Sequence, residues 1–103
     1  MKLTKKTREI LKQEIKESLV SENEIQKIIL FGSFLKSNDP KDIDIAIIQS
    51  SDEPYITLAM KYRKLTRNIS KKIPLDIIPI KLNPTYKNWF LSEIESGELI
   101  YER

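Results

Sequence analysis

The chain has 103 residues, 18 basic and 15 acidic side chains, a formal charge of +3, and neither cysteine nor histidine. Its length predicts one domain, 1–103, with one modest core, because a chain this short buries only about two-thirds of its unfolded surface. The two absences exclude a disulfide frame, a thiolate nucleophile, a Ser-His-Asp triad and a Cys/His zinc site. Catalysis must then use carboxylates, lysines, hydroxyls or a hard cation such as Mg²⁺ held by oxygen ligands. No apolar run approaches the roughly 20 residues that span a bilayer. The charged start, Met1–Thr7, is followed by no apolar stretch of the kind a signal peptide needs. The expected location is the cytoplasm, with no membrane partner.

In chain order, Thr4 to Val20 reads as a helix with Ile10, Leu11, Ile15 and Leu19 on one face. Lys27 to Phe31 is a short β-branched apolar run that suits a buried strand, ended by Gly32-Ser33. Asp42 to Ile48 predicts a second strand whose first half alternates acid and isoleucine. Ser51-Asp52-Glu53-Pro54 predicts a helix start, with Ser51 or Asp52 as cap and Pro54 in the first turn. Tyr55, Leu58, Ala59, Tyr62, Leu65 and Ile69 then recur at helical spacing to about Ser70. Pro74 to Ile80 predicts a third strand, which Pro79 assigns to an edge. Asn83-Pro84 opens a last helix over 85–96, with Tyr86, Trp89, Phe90 and Ile94 inward and Gly97 as C-cap. Glu98 to Glu102 suits a short closing strand. The fold class is α+β, a small mixed sheet of three to four strands with helices packed on one side.

The chemistry concentrates in a few residues. Asp42 and Asp44 stand two apart on a strand, so their side chains share a face, with Cα atoms roughly 7 Å apart. Two such carboxylates can hold one divalent ion or bridge two. Asp76 interrupts the third apolar strand, where a carboxylate is costly unless paired, metal-bound or solvated. If the two strands are neighbours, all three aspartates gather on one face. Gly32 permits a tight turn and a close backbone approach. Ser33 offers a hydroxyl and an N–H to a phosphate, and a helical turn over Phe34 to Ser37 would add further donors. Lys61, Arg63, Lys64, Arg67, Lys71 and Lys72 form a basic cluster. It reads first as a solvated face and second as a surface for RNA or an acidic partner.

Phe31-Gly32-Ser33, eight residues, then Asp42-Ile43-Asp44 followed by Ile-Ala-Ile-Ile, resembles the signature of the polymerase-beta-type nucleotidyltransferases. The length and layout resemble the minimal nucleotidyltransferases, or MNT domains, over nearly the whole chain. The resemblance implies a polymerase-beta-like nucleotidyltransferase fold and Mg²⁺-dependent transfer of a nucleoside monophosphate, AMP from ATP, to a hydroxyl. It implies nucleotide binding by Gly32 and Ser33, with Lys36 standing where the family often has an arginine. It implies Asp42, Asp44 and Asp76 as the catalytic and metal-ligating carboxylates, with a two-ion site when nucleotide is bound. Nucleotidyl transfer needs charge neutralisation and in-line positioning more than a covalent nucleophile, so a histidine-free chain can perform it. The stretch between Ser33 and Asp42 is about two residues shorter than is usual in the family.

With little room for an acceptor, a partner protein is expected to supply it. The resemblance implies a HEPN-type RNase toxin, with this chain as the antitoxin of a HEPN/MNT pair. Two alternatives stay open: a binding module that neutralises such a toxin by complex formation alone, and a small basic RNA-binding domain. Homo-oligomer formation is also left open.

Overall fold

The computed structural model describes residues 2–81, 92 and 94–103. Helix α1 (Lys5–Leu19) is capped by Thr4, whose side chain accepts from the Thr7 amide, and buries Leu11, Ile15 and Leu19. Ile10, expected on that face, is 49% exposed. It lies about 100° round the helix from Leu11, outside the i, i+4, i+8 stripe that meets the core.

Strands β1 (Ile25–Phe31) and β2 (Ile43–Gln49) flank the single helical turn α2 (Ser33–Lys36). Helix α3 (Tyr55–Leu65) starts one residue later than the proline expectation, with Pro54 as N-cap and no side-chain cap. The Ser51 hydroxyl accepts from the Glu53 amide just ahead of it.

The middle helix does not run unbroken to Ser70. Thr66 leaves helical geometry (φ −103°, ψ 12°), and a short turn α4 (Arg67–Ser70) follows. The Tyr62 carbonyl accepts both the Thr66 amide at 3.1 Å and the Thr66 hydroxyl at 2.8 Å at this helix end. The break leaves Leu58, Ala59, Tyr62 and Ile69 buried, but Tyr55 and Leu65 outside the core.

Strands β3 (Leu75–Lys81) and β4 (Glu98–Glu102) complete one mixed sheet of order β3-β2-β1-β4. β1 pairs antiparallel with both β2 and β4, whereas β2 and β3 are parallel. The α3–α4 crossover makes that parallel pairing feasible. Pro79 lies on an edge strand, as its missing N–H requires.

Period-two alternation sorts the sheet into two faces. One carries Ile28, Leu30, Ile43, Ile45, Ile47 and Ile77 and joins Leu11, Ile15, Leu19, Leu58, Tyr62 and Ile69 in the main core. The other carries Phe31 and Ala46, which cluster with Ile94, flanked by Ile29, Ile78 and Ile80. Helices α1, α3 and α4 therefore share one face, while Ile94, ahead of β4, covers part of the other. Of the expected last helix, Ser92 and Ile94–Glu95 are helical and Ile94 is buried. Tyr86, Trp89 and Phe90 lie outside the described residues.

Gly97 accepts the chain's return to the sheet. Its amide bonds the Ile94 carbonyl at 2.9 Å, closing the helical turn. A Cβ here would come within 2.4 Å of the Leu30 carbonyl oxygen, so β4 reaches β1 only through glycine.

Candidate active site

The carboxylates occupy the face opposite the main core, at the start of β2 and β3 beside the turn that leaves β1. Asp44 is the register partner of Phe31 on one side and of Asp76 on the other. Parallel neighbours at the same register present their side chains to the same face. The sheet thus aligns two aspartates that lie 32 positions apart in the chain. Asp42 precedes β2 by one residue rather than starting it. It is half-buried, as is Asp44, whereas Asp76 is exposed on the edge strand. Solvent at that edge removes the desolvation cost of a carboxylate inside an apolar strand.

The three charges act on one another. Burial, then repulsion from Asp42 and Asp76, then a side-chain hydrogen bond with Asp76, push the Asp44 carboxyl up to about 6. Two carboxylates so close share a proton or a cation.

Gly32 defines how close the turn comes. It has φ +78° and ψ −152°, a region nearly closed to other residues. A Cβ at this position would lie 2.1 Å from Asp44 Oδ2. The glycine backbone therefore lies directly against the central carboxylate. Ser33 follows, exposed, as the first residue of α2. The Leu35 amide bonds the Gly32 carbonyl at 3.1 Å and the Ser37 amide bonds the Ser33 carbonyl at 2.9 Å, which closes the turn.

Lys36 stands apart from the aspartates. It lines a cleft of about 350 Å³ on the α1 side of the turn, together with Lys5, Arg8, Lys12 and Asn38. The site residues thus gather as Gly32, Asp42, Asp44 and Asp76, with Ser33 adjoining and Lys36 facing the helix.

Among the described residues, no three His, Cys, Asp or Glu side chains converge as a complete cage for a metal ion. The all-oxygen set around Asp44 nonetheless suits Mg²⁺, which is held by one or two carboxylates plus substrate phosphates rather than by a full protein cage. The mutual repulsion that raises the Asp44 carboxyl is relieved by a bound cation.

The basic cluster divides. Lys61 bonds Glu24 at 2.9 Å and lies 3.3 Å from Glu22, and Lys72 bonds Glu14 at 2.9 Å. The Tyr62 hydroxyl donates to the same Glu24 at 2.9 Å. These are tertiary braces of α3 and the loop after α4. Arg63, Lys64 and Arg67 instead line a cleft of about 410 Å³ beside Met60, Leu75 and Ile77.

One residue of the site is not visible in the sequence pattern. The Arg8 guanidinium donates to the carbonyl oxygens of Phe34 and Ser37 and lies over the Phe34 ring, 4.8 Å from its centroid. Its one signal is being the only arginine in a helix otherwise served by lysine.

A mixed sheet carrying Gly-Ser after its first strand and paired aspartates on the next two is the arrangement of a nucleotidyltransferase. Residues 13–103 match the family described as Polymerase beta, Nucleotidyltransferase, and the chain belongs to that family. It is 29% identical over 91 residues to the Methanocaldococcus jannaschii protein named "Putative protein adenylyltransferase", covering 85% of this chain and 91% of that one. Its fold matches a chain in the solved structure of the tri-AMPylated Shewanella oneidensis HEPN toxin in complex with MNT antitoxin. There the TM-score is 0.68 at 18% identity, over 93% of this chain and 73% of that one. It also matches a chain of a toxin–antitoxin crystal structure with AMP-PNP, at TM-score 0.62 and 19% identity, over 89% and 73% of the two chains. No helix among the described residues is long and apolar enough to cross a membrane.

Proposed function

We propose that the whole chain, 1–103, is one minimal nucleotidyltransferase domain that transfers AMP from ATP to a hydroxyl of a partner protein in the cytoplasm. The partner is a HEPN-type toxin and this chain its antitoxin. The observation that carries the reading is the register of Asp44 against Asp76 with Gly32 lying on Asp44. The likeness to a HEPN toxin–MNT antitoxin complex and the adenylyltransferase name of the archaeal relative support the choice of acceptor and nucleotide.

Gly32 and Ser33 hold the triphosphate through the backbone and the Ser33 hydroxyl, and Lys36 contributes a point charge from the rim of the turn. Asp42, Asp44 and Asp76 would hold Mg²⁺ together with the triphosphate, and the ion would supply charge neutralisation there. The acceptor hydroxyl oxygen forms a bond to the α-phosphorus as the bond to the bridging oxygen of the β-phosphate breaks. Asp76, the exposed carboxylate, faces the acceptor side and takes the hydroxyl proton.

The test mixes the chain with a HEPN-type partner, Mg²⁺ and ATP labelled at the α-phosphate. Label moves onto the partner, and Asp42→Asn/Asp44→Asn abolishes it. An unlabelled partner that is still neutralised, equally by the double variant, would establish complex formation without transfer.

A further inference from the structure

A one-turn helix cannot hold itself. Helix nucleation is unfavourable, and four residues make too few bonds to offset it. Its last carbonyls also lack partners within the turn. Yet α2 carries Ser33 and must keep Gly32, in a backbone conformation open to glycine alone, against Asp44.

The missing support comes from α1. The two terminal nitrogens of Arg8 reach two different carbonyls of the turn, those of Phe34 and Ser37. The same guanidinium covers the Phe34 ring, and Phe34 itself is fully buried. Just ahead of α1, the Leu3 amide donates to the Asn38 carbonyl at 2.9 Å. α1 in turn is fastened to the sheet by Leu11, Ile15 and Leu19, all buried. A continuous path therefore runs from the core through Arg8 to the segment 33–38.

Building on the nucleotide reading above, we infer that Arg8 is the positioning residue of the phosphate-binding turn, clamping it from α1 so that Gly32 and Ser33 stand ready for the triphosphate. A planar fork suits this task and a lysine does not, because one ammonium cannot satisfy two divergent carbonyls in fixed geometry. The Arg8 guanidinium is engaged by the Phe34 and Ser37 carbonyls. It acts by removing the ordering cost that nucleotide binding would otherwise carry.

The experiment uses the full chain, with ATP and Mg²⁺ as probe in calorimetry and with amide hydrogen exchange of residues 33–38 alongside. Arg8→Gln is expected to keep the wild-type circular dichroism, speed exchange across 33–38 and raise the ATP Kd about tenfold or more. Arg8→Lys is expected to fall between the two. In a double-mutant cycle, Arg8→Gln and Ser33→Ala are expected to be non-additive, because one acts through the other. A purely structural role would loosen the turn without this coupling. Faster exchange in Arg8→Gln with an unchanged ATP Kd overturns the inference and leaves the nucleotide reading standing. A wild type that binds no ATP overturns both. If Arg8→Gln does not fold, Arg8→Lys decides: its exchange and Kd rise together, or the inference is wrong.

Discussion

The two faces of the sheet divide stability from chemistry, and adjacent residues of one strand show it. Ile43, Ile45 and Ile47 point into a closed core against α1 and α3, each with no exposed surface. Asp42 and Asp44 lie toward the other face, where the Gly32 turn rests on Asp44 and a small cluster around Phe31, Ala46 and Ile94 supplies apolar cover. Burial stabilises the first face, whereas on the second partial burial and then like charges raise the Asp44 carboxyl. The lesson is that β2 can carry a costly cluster because its other side is so well packed. Stability and reactivity are set independently, one residue apart.

The comparison can be broken most directly on the packed side. Ile45→Ala is expected to cost about 4 kcal/mol in urea denaturation, the usual range for emptying a sealed aliphatic site. A loss below about 1 kcal/mol would mean this face is not the main core.

Gly32→Ala should cost about 2–3 kcal/mol, from a side chain forced into a nearly forbidden backbone region. It should also abolish nucleotidyl transfer, because the new Cβ displaces Asp44. If the variant keeps both its stability and its activity, the turn does not lie on the carboxylate.

Asp44→Asn should have the opposite sign to Ile45→Ala. The Asp44 carboxyl holds its proton more tightly when folded, near 6, than its ordinary value of 3.8. The destabilisation it causes is therefore absent below about pH 3.8, grows through about pH 6 and is full above it. The variant should melt higher than wild type at about pH 7.5, melt equally at about pH 3.5, and lose transfer activity. Equal melting at both pH values would remove the raised Asp44 carboxyl from the account.

Mg²⁺ sharpens the same point, since a ligand that binds only the folded state raises Tm. Its gain should shrink as pH falls through about 6, where protons compete for Asp44. The smallest effect belongs to the surface. Lys72→Ala, which removes an exposed pair with Glu14, should cost no more than about 0.5 kcal/mol.

Much of this is legible in the sequence because two periodicities carry it. Alternation reveals which strand residues share a face, so spacing alone pairs Asp42 with Asp44. Pro79 discloses the edge strand through its missing donor. What stays hidden depends on contacts between distant positions. The spacing of 11, 15 and 19 cannot expel Ile10, since hydrophobicity does not say where a core ends. The helical period runs on through Thr66, where the backbone itself leaves helical geometry. The register of Asp44 with Asp76 follows only from β2 and β3 being parallel neighbours. Arg8 is one more cation on a charged helix until it is set against the turn that it holds.

The placement of β4 has a temporal meaning. β1, the strand that delivers Gly32, has its first partner in β2 but its second in residues 98–102. Pairings this far apart in the chain form slowly, because a long loop must close before they are rewarded. Until residues 98–102 pair, the flank of β1 away from β2 stays bare. The strand that carries Gly32 gains its second neighbour only when β4 folds back past Gly97.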